Sequence, residues 1–302
     1  MPGRALVVGA TGDLGSRVVR RLLRGGHDVR YLSRGQGGDG QLRELGATAV
    51  RGELTDTASL RDACRGVDTV VATATVMARR LAGQTRQSIA EVDRAGMCSL
   101  VEAAERHGVS RFLYMSFAGA DRGVGSPLEH AKLAVERQLQ AASMQSVSIR
   151  ADGFQEIHLR PIGRFDLHGG KVSVIGKGAT RRRLVSIEDV AALIAALADE
   201  RDPPEVVEFG GPELISRNEA IAVAERVLGR RMKVQRMPRQ LARIGMRALS
   251  SRNDSLASVF GAGLHQDLVE ADWDDSALTQ RGINPQSVSR YIELQSEHAA
   301  DV

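Results

Sequence analysis

Aromatic residues are scarce in this 302-residue chain: 3% of the total, with one Trp and three Tyr. The scarcity limits which side chains can serve as a phenolic acid. Basic residues, nearly all Arg, are spread along the chain, and the formal net charge is +4. Without a basic tract interleaved with aromatics, no nucleic-acid binding is expected. Cysteine is nearly absent. Cys64 and Cys98 fall in separate expected helices, and neither has a Cys or His partner at metal-ligand spacing. That argues against a disulfide framework, fits a reducing compartment and points to no metal. No run approaches the roughly 18 apolar residues that span a bilayer, and the N-terminal residues lack the apolar core of a secretory signal. The expectation is a soluble cytoplasmic protein with no membrane partner.

What is present is enough apolar residue, 42%, to bury a large core. The first 150 residues alternate between two periodicities. Strands are expected at 5–8, 27–33, 48–51, 68–73, 112–116 and 146–150. Helices are expected at 13–24, 42–45, 57–64, 84–107 and 127–142, with Asp56 capping the third. Residues 34–41 are glycine-rich and read as a flexible loop. Strands alternating with helices predict an α/β fold with a doubly wound parallel sheet. After residue 150 the rhythm changes. Residues 161–183 read as loop, 187–198 and 217–228 as helices, 206–209 as a strand, and the last 70 residues as less regular helix. The expected division is a nucleotide-binding domain over 1–150 and a smaller, mostly helical C-terminal substrate lobe over 151–302, interleaved with the last sheet elements. Residues 241–249 are partly amphipathic, as for a lid or a dimer face.

Gly9, Gly12 and Gly15 lie between the first expected strand and helix. Gly9 allows the sharp turn, Gly12 leaves the backbone open to a pyrophosphate, and Gly15 lets the helix pack closely on the sheet. The first helical turn then offers its N–H groups to phosphate. In this context, after a buried strand and opening a helix, the pattern predicts a Rossmann-type dinucleotide site. An NAD site usually carries Asp or Glu about 20 residues on. Here Ser33 and Arg34 stand there: no carboxylate repels a 2′-phosphate, and a guanidinium is present to pair with it. Such a bond, worth about 1.5–3 kcal/mol, corresponds to roughly a ten- to hundredfold preference. NADP(H) is the expected cofactor, with NAD(H) as the alternative.

The sequence resembles the short-chain dehydrogenase/reductase superfamily, in its atypical NmrA-like and isoflavone-reductase-like branch. The resemblance is carried by residues 9–15, 29–34, 52–56, 66–71, 109–116, 185–190 and 210–212, with Lys132, Val135 and Glu136. It covers roughly residues 3–240. It implies a pyrophosphate site at Gly9, Thr11, Gly12, Asp13 and Leu14, a 2′-phosphate site at Arg34, an adenine contact at Glu53 and Leu54, and ribose contacts at Ala72, Thr73 and Ala74. It also implies that Ser116 and Lys132 flank the nicotinamide and that Phe154 lines the ring or the substrate pocket.

The usual member of the superfamily has a tyrosine four residues before the lysine, whose ammonium lowers the phenol's pKa. Here that position is Leu128. Glu129 reads as part of a capping box with Ser126, His130 points to another helix face, and Tyr114 reads as a core aromatic. Loss of the general acid costs roughly 10²–10⁴ in rate. Two readings therefore remain. One is a reductase of quinones, dyes or conjugated alkenes, with Lys132 catalytic beside Ser116. The other is a non-catalytic NADP(H) sensor that passes its ligand state to a protein partner. A sugar-nucleotide epimerase or dehydratase ranks lower, because it too normally needs the tyrosine. The reductase takes a small-molecule substrate, as a monomer or homodimer. Past residue 150, Phe154, Ile157, His158 and Leu159 suggest an apolar wall. Arg181, Arg182 and Arg183 read as a solvated basic loop, or as an attractor for an acidic substrate or partner. Asp189 reads as structural.

Overall fold

The structure, a computed structural model, describes residues 3–35 and 37–300, without the side chains of 298–300. Gln36, in the expected flexible loop, lies outside the described residues. The strands are β1 (Arg4–Val8), β2 (Asp28–Ser33), β3 (Thr48–Arg51), β4 (Thr69–Ala72), β5 (Arg111–Phe117), β6 (Gln145–Ala151), β7 (Phe165–Asp166), β8 (Lys171–Ile175), β9 (Arg181–Arg182), β10 (Val206–Phe209), β11 (Ile215–Ser216) and β12 (Lys233–Met237). The helices are α1 (Asp13–Arg24), α2 (Asp39–Glu44), α3 (Thr57–Cys64), α4 (Met77–Leu81), α5 (Met97–Arg106), α6 (Pro127–Ala141), α7 (Gln155–His158), α8 (Ile187–Asp199), α9 (Arg217–Leu228), α10 (Arg239–Leu249), α11 (Asp254–Leu268), α12 (Ser276–Thr279) and α13 (Val288–Ala300). Among the described residues no helix is long and apolar enough to cross a membrane.

The chain forms two compact units. The first comprises Met1–Ser116, Pro127–Arg150 and Val190–Val207; the second comprises Phe117–Ser126, Ala151–Asp189 and Glu208–Val302. The central sheet has seven parallel strands in the order β10-β6-β5-β4-β1-β2-β3. This is the Rossmann order, 3-2-1-4-5-6, with one strand added at the edge. Side chains alternate across it. Leu6, Val8, Val70 and Phe112 face a core shared with Leu60 of α3, Leu100 of α5 and Val135 of α6. Ala5 and Val7 are buried too, but lie outside that cluster; they point to the opposite face, where α1 buries Leu14, Val18, Val19 and Leu22. Each such large aliphatic contributes about 1.5–3 kcal/mol by leaving water. Asp56 caps α3, its carboxylate accepting from the Ala58 and Ser59 N–H groups, as its sequence position implies.

Three local expectations give way. The helix expected over 84–107 begins only near Ile89, and its first turns, Ala90–Gly96, are π-helical. At Gly96 this stretch lies close to the loop before α3: a Cβ there would lie 2.8 Å from the Leu54 carbonyl oxygen. Residues 84–88 are held otherwise, with the Arg80 guanidinium bonding the Arg86 and Gln87 carbonyls. Within the expected loop 34–41, α2 already begins at Asp39. And residues 161–183 contain β7, β8 and β9. In β8, Val172 and Val174 alternate inward, but the strand is five residues long and its parallel partner, β12, lies some sixty residues on. Local sequence does not reveal such a partner.

The second unit packs β8 and α9 around Phe165, Val172, Val174, Ile221 and Ile292. Asp152 is buried in the same unit. This buried carboxylate accepts from the Arg182 guanidinium (2.8 Å), the Arg183 and Gly153 N–H groups and the Trp273 indole. The Arg182 guanidinium also lies 5.0 Å from the centre of the Trp273 ring. These arginines are therefore no solvated loop: Arg182 is buried in a pair, Arg183 donates to the Gly211 and Pro212 carbonyls, and Arg181 pairs with Glu219. Nor do the residues after β6 form one apolar wall. Ile157 of α7 is exposed, while Leu159, just past the helix, joins the core. Asp189 is structural, bonding the Ser186 hydroxyl and the Gln286 N–H.

His158, half-buried, and His265, buried, lie in this unit. Burial, then the charge of Arg217, lowers the His158 pKa to about 3. Burial, then Arg182, lowers that of His265 to about 4. Above pH 6.5 both are neutral whether the chain is folded or not. As pH falls below that value the unfolded chain takes up protons that the folded one refuses, so stability is lost on acidification. By pH 5 each histidine removes about 2 kcal/mol. Thermal melts between pH 7 and pH 5 will record this fall, and His158→Gln will flatten it. A melting temperature independent of pH over that range overturns the account.

Candidate functional site

In the first unit the glycine turn has the geometry its sequence implies. Gly9 has φ +96°, and a Cβ on it would lie 2.6 Å from the Ala74 nitrogen. Only glycine brings the end of β1 this close to the chain leaving β4. At Gly15 a Cβ would lie 2.1 Å from the Gly9 carbonyl oxygen, so α1 is seated directly on the turn. Gly12 precedes α1, and no side chain caps the helix. The first-turn N–H groups thus stay available, with the positive end of the helix dipole behind them. They open beside a cavity of about 280 Å³ lined by Thr11, Gly12, Asp13, Ser16, Arg20 and Gly38, among others. Leu14 is buried beneath, and Asp13 is exposed and paired with Arg17. An uncapped helix start beside a turn that a Cβ would fill fits the pyrophosphate of a dinucleotide.

The end of β2 is more elaborate than its sequence implies. Ser33 is buried, and its hydroxyl bonds the Asp39 carboxylate at 2.7 Å. A carboxylate does lie near this position, contrary to the expectation that there is none. It enters from the first turn of α2, and Arg43 approaches it at 4.0 Å. Ser33 is thus committed to shaping the loop, also accepting from the Gly35 N–H. Arg34 is half-buried, and Arg79 of α4 lies near enough that its pKa is lowered by burial first and by Arg34 second, with Glu53 acting oppositely. Arg51 completes the group: a Cβ on Gly35 would collide with its guanidinium. Arg79 and Arg51 escaped the sequence reading. The dibasic Arg79–Arg80 was the only hint, because α4 is five residues long.

The remaining cofactor candidates gather at the strand ends. Ala72 closes β4, and the Thr73 N–H and hydroxyl both donate to the Val8 carbonyl. Leu54 is buried against Gly96 and Glu53 is half-buried. Asp93, on the π-helical stretch, accepts from the Val76 N–H at 3.1 Å.

Lys132 is 7% exposed, and its ammonium donates to the Met115 carbonyl at 2.7 Å. It also lies 4.8 Å from the centre of the Tyr114 ring. Burial lowers its pKa, while Asp93 and Glu136 pull it back up. Ser116, next along β5, has a buried hydroxyl with no hydrogen-bond partner. Tyr114 is fully buried, and burial holds its phenol well above the usual range; it is a core aromatic, as expected. Leu128 packs half-buried against the same core, and His130 is exposed. Phe154 belongs to the second unit, where it is half-buried and bridges Val185.

Comparison with known proteins bears on the family and the fold. Residues 9–201 match the NAD(P)H-binding family. The chloroplastic protein High Chlorophyll Fluorescence Phenotype 244 of Arabidopsis thaliana is 31% identical over 247 residues, which is 80% of this chain and 60% of that protein. The structure of AtPrR2 with NADP+ and (+)pinoresinol superposes with a TM-score of 0.76 at 21% identity, over 97% of this chain and 99% of the other. The NADPH complex of the quinone oxidoreductase QOR2 from Escherichia coli gives 0.76 at 19% identity, over 96% and 99%. The chain belongs to the NAD(P)H-binding family, with the fold of the isoflavone-reductase and pinoresinol-reductase group of atypical short-chain dehydrogenases/reductases.

Proposed function

We propose that this protein is an NADP(H)-dependent reductase acting on a small acceptor, such as a quinone or a conjugated compound, that takes hydride without a simultaneous proton from a tyrosine. The observation that carries the reading is the pairing of Lys132 with Leu128: the lysine is retained beneath the end of β5, and an apolar side chain fills the position of the proton donor. Tyr114 does not replace that donor, since its hydroxyl is sealed in the core. NADPH, when bound, supplies the hydride. The α1 N–H groups hold its pyrophosphate, and Arg34 with Arg79 holds the 2′-phosphate. Two like charges brought together and partly dried repel each other until a dianion lies between them. Lys132 keeps two donors beyond the one spent on Met115, and these, with the Ser116 hydroxyl, orient the nicotinamide end. The likeness in fold to a quinone oxidoreductase supports this acceptor class.

A second reading, binding without turnover, is favoured by the burial of Lys132 and by the commitment of its ammonium to Met115 and Tyr114. NADPH oxidation against a panel of quinones separates the two. Turnover in the wild type that falls at least about tenfold in Lys132→Met, with NADPH affinity retained, supports the reductase. Tight NADPH binding with no turnover on any acceptor supports the sensor.

Cofactor choice is tested separately by calorimetry. Arg79→Ala and Arg34→Ala are each expected to weaken NADPH binding roughly ten- to hundredfold and to leave NADH nearly unchanged. Equal losses for both cofactors would remove the 2′-phosphate from this pair.

A further inference from the structure

The longest acid-free stretch of the second unit's C-terminal part surrounds α10. From Arg226 to Arg252 the sequence carries nine basic residues and no Asp or Glu. Several of these are used internally: Arg239 pairs with Asp267, Arg236 bonds the Lys177 carbonyl, and Arg231 pairs with Glu225. The side chains of Arg243, Arg247 and Arg252 make no ion pair or hydrogen bond among the described residues. The inner face of α10 buries Ala242 and Met246, and at Gly245 the helix comes close to the Phe260 ring of α11. Its outer face carries Leu241, 58% exposed, and Ile244, 62% exposed. At 100° per residue, Leu241, Ile244 and Ala248 form one outward strip, and Arg243 and Arg247 form the strip beside it.

We propose that this outer face of α10 docks on an anionic lipid bilayer. Two protruding aliphatic side chains flanked by unpaired guanidiniums form the pattern of a helix lying in the interfacial plane. Leu241 and Ile244 stand on the exposed side of the helix. Apolar helices and acidic peptides are instead recognised in grooves. A second copy of the chain is disfavoured by charge: a two-fold contact through this face would set Arg243 and Arg247 against their own copies. An acidic surface complements the arginines, and only a bilayer also offers a non-specific apolar layer for Leu241 and Ile244.

The test is co-sedimentation of the full chain with phosphatidylcholine vesicles, with and without phosphatidylglycerol. Binding is expected only with the anionic lipid, and it weakens with salt. Each arginine near such a surface is worth about 1 kcal/mol, or roughly fivefold. The double variant R243Q/R247Q is therefore expected to bind about thirtyfold more weakly. L241S/I244S is expected to lose at least about tenfold on the same vesicles. NADPH affinity, unchanged in both, certifies the fold and keeps this proposal separate from the catalytic reading. No sedimentation with anionic vesicles overturns the proposal. Binding indifferent to L241S/I244S overturns it in favour of a purely electrostatic acidic partner. Self-association that L241S/I244S abolishes, with no vesicle binding, overturns it in favour of a second copy.

Discussion

At Gly15 the first helix passes so close to the Gly9 carbonyl that one added methyl group would lie 2.1 Å from its oxygen. That contact fixes the height of α1 above β1, and with it the place where the uncapped helix start emerges. The left-handed Gly9 brings Ala74 alongside, so the ends of β1 and β4 form one rim. The Thr73 N–H and hydroxyl, both bonded to Val8, hold that rim in register. Phosphate-binding geometry in this fold thus rests on an absence of side chains, which no favourable contact elsewhere could replace.

Charge is handled differently in the two units. In the second, Asp152 is buried but surrounded by donors, and Arg182 offsets the cost of drying it. Breaking such a pair from one side costs about 3–5 kcal/mol, so these residues are structural. In the first unit, the charge of Arg34 acts against that of Arg79, and Glu53 offsets it only in part. A site left with excess positive charge at the mouth of a nucleotide-binding sheet is poised for an anion.

The proton chemistry is constrained by where hydroxyls are absent. The ammonium of Lys132 has the backbone of β5 and an aromatic face for company. The Ser116 hydroxyl has no hydrogen-bond partner among the described residues, and the nearest phenol is fully enclosed. On the proposed reading, chemistry at this site proceeds without a phenolic acid from the protein, and that restricts the acceptors.

Much of this was legible in the residues alone. The strand–turn–helix of residues 4–24, the Asp56 cap and the doubly wound parallel sheet follow from periodicity and glycine sterics, which act over a few neighbours. So did Tyr114 as core. The π-helical entry to α5, the strand β8 and the burial of Arg182 were not legible; the last two depend on remote partners, β12 and Asp152. The same holds in the site. The sequence by itself determined a dinucleotide turn, an arginine after β2 and the loss of the usual tyrosine. Only the tertiary structure decided that Ser33 is spent on Asp39, that Arg79 stands beside Arg34, and that Lys132 is anchored on Met115. Local sterics are written into adjacent residues, whereas the meeting of charges from separate elements is set by how the whole sheet and its helices close.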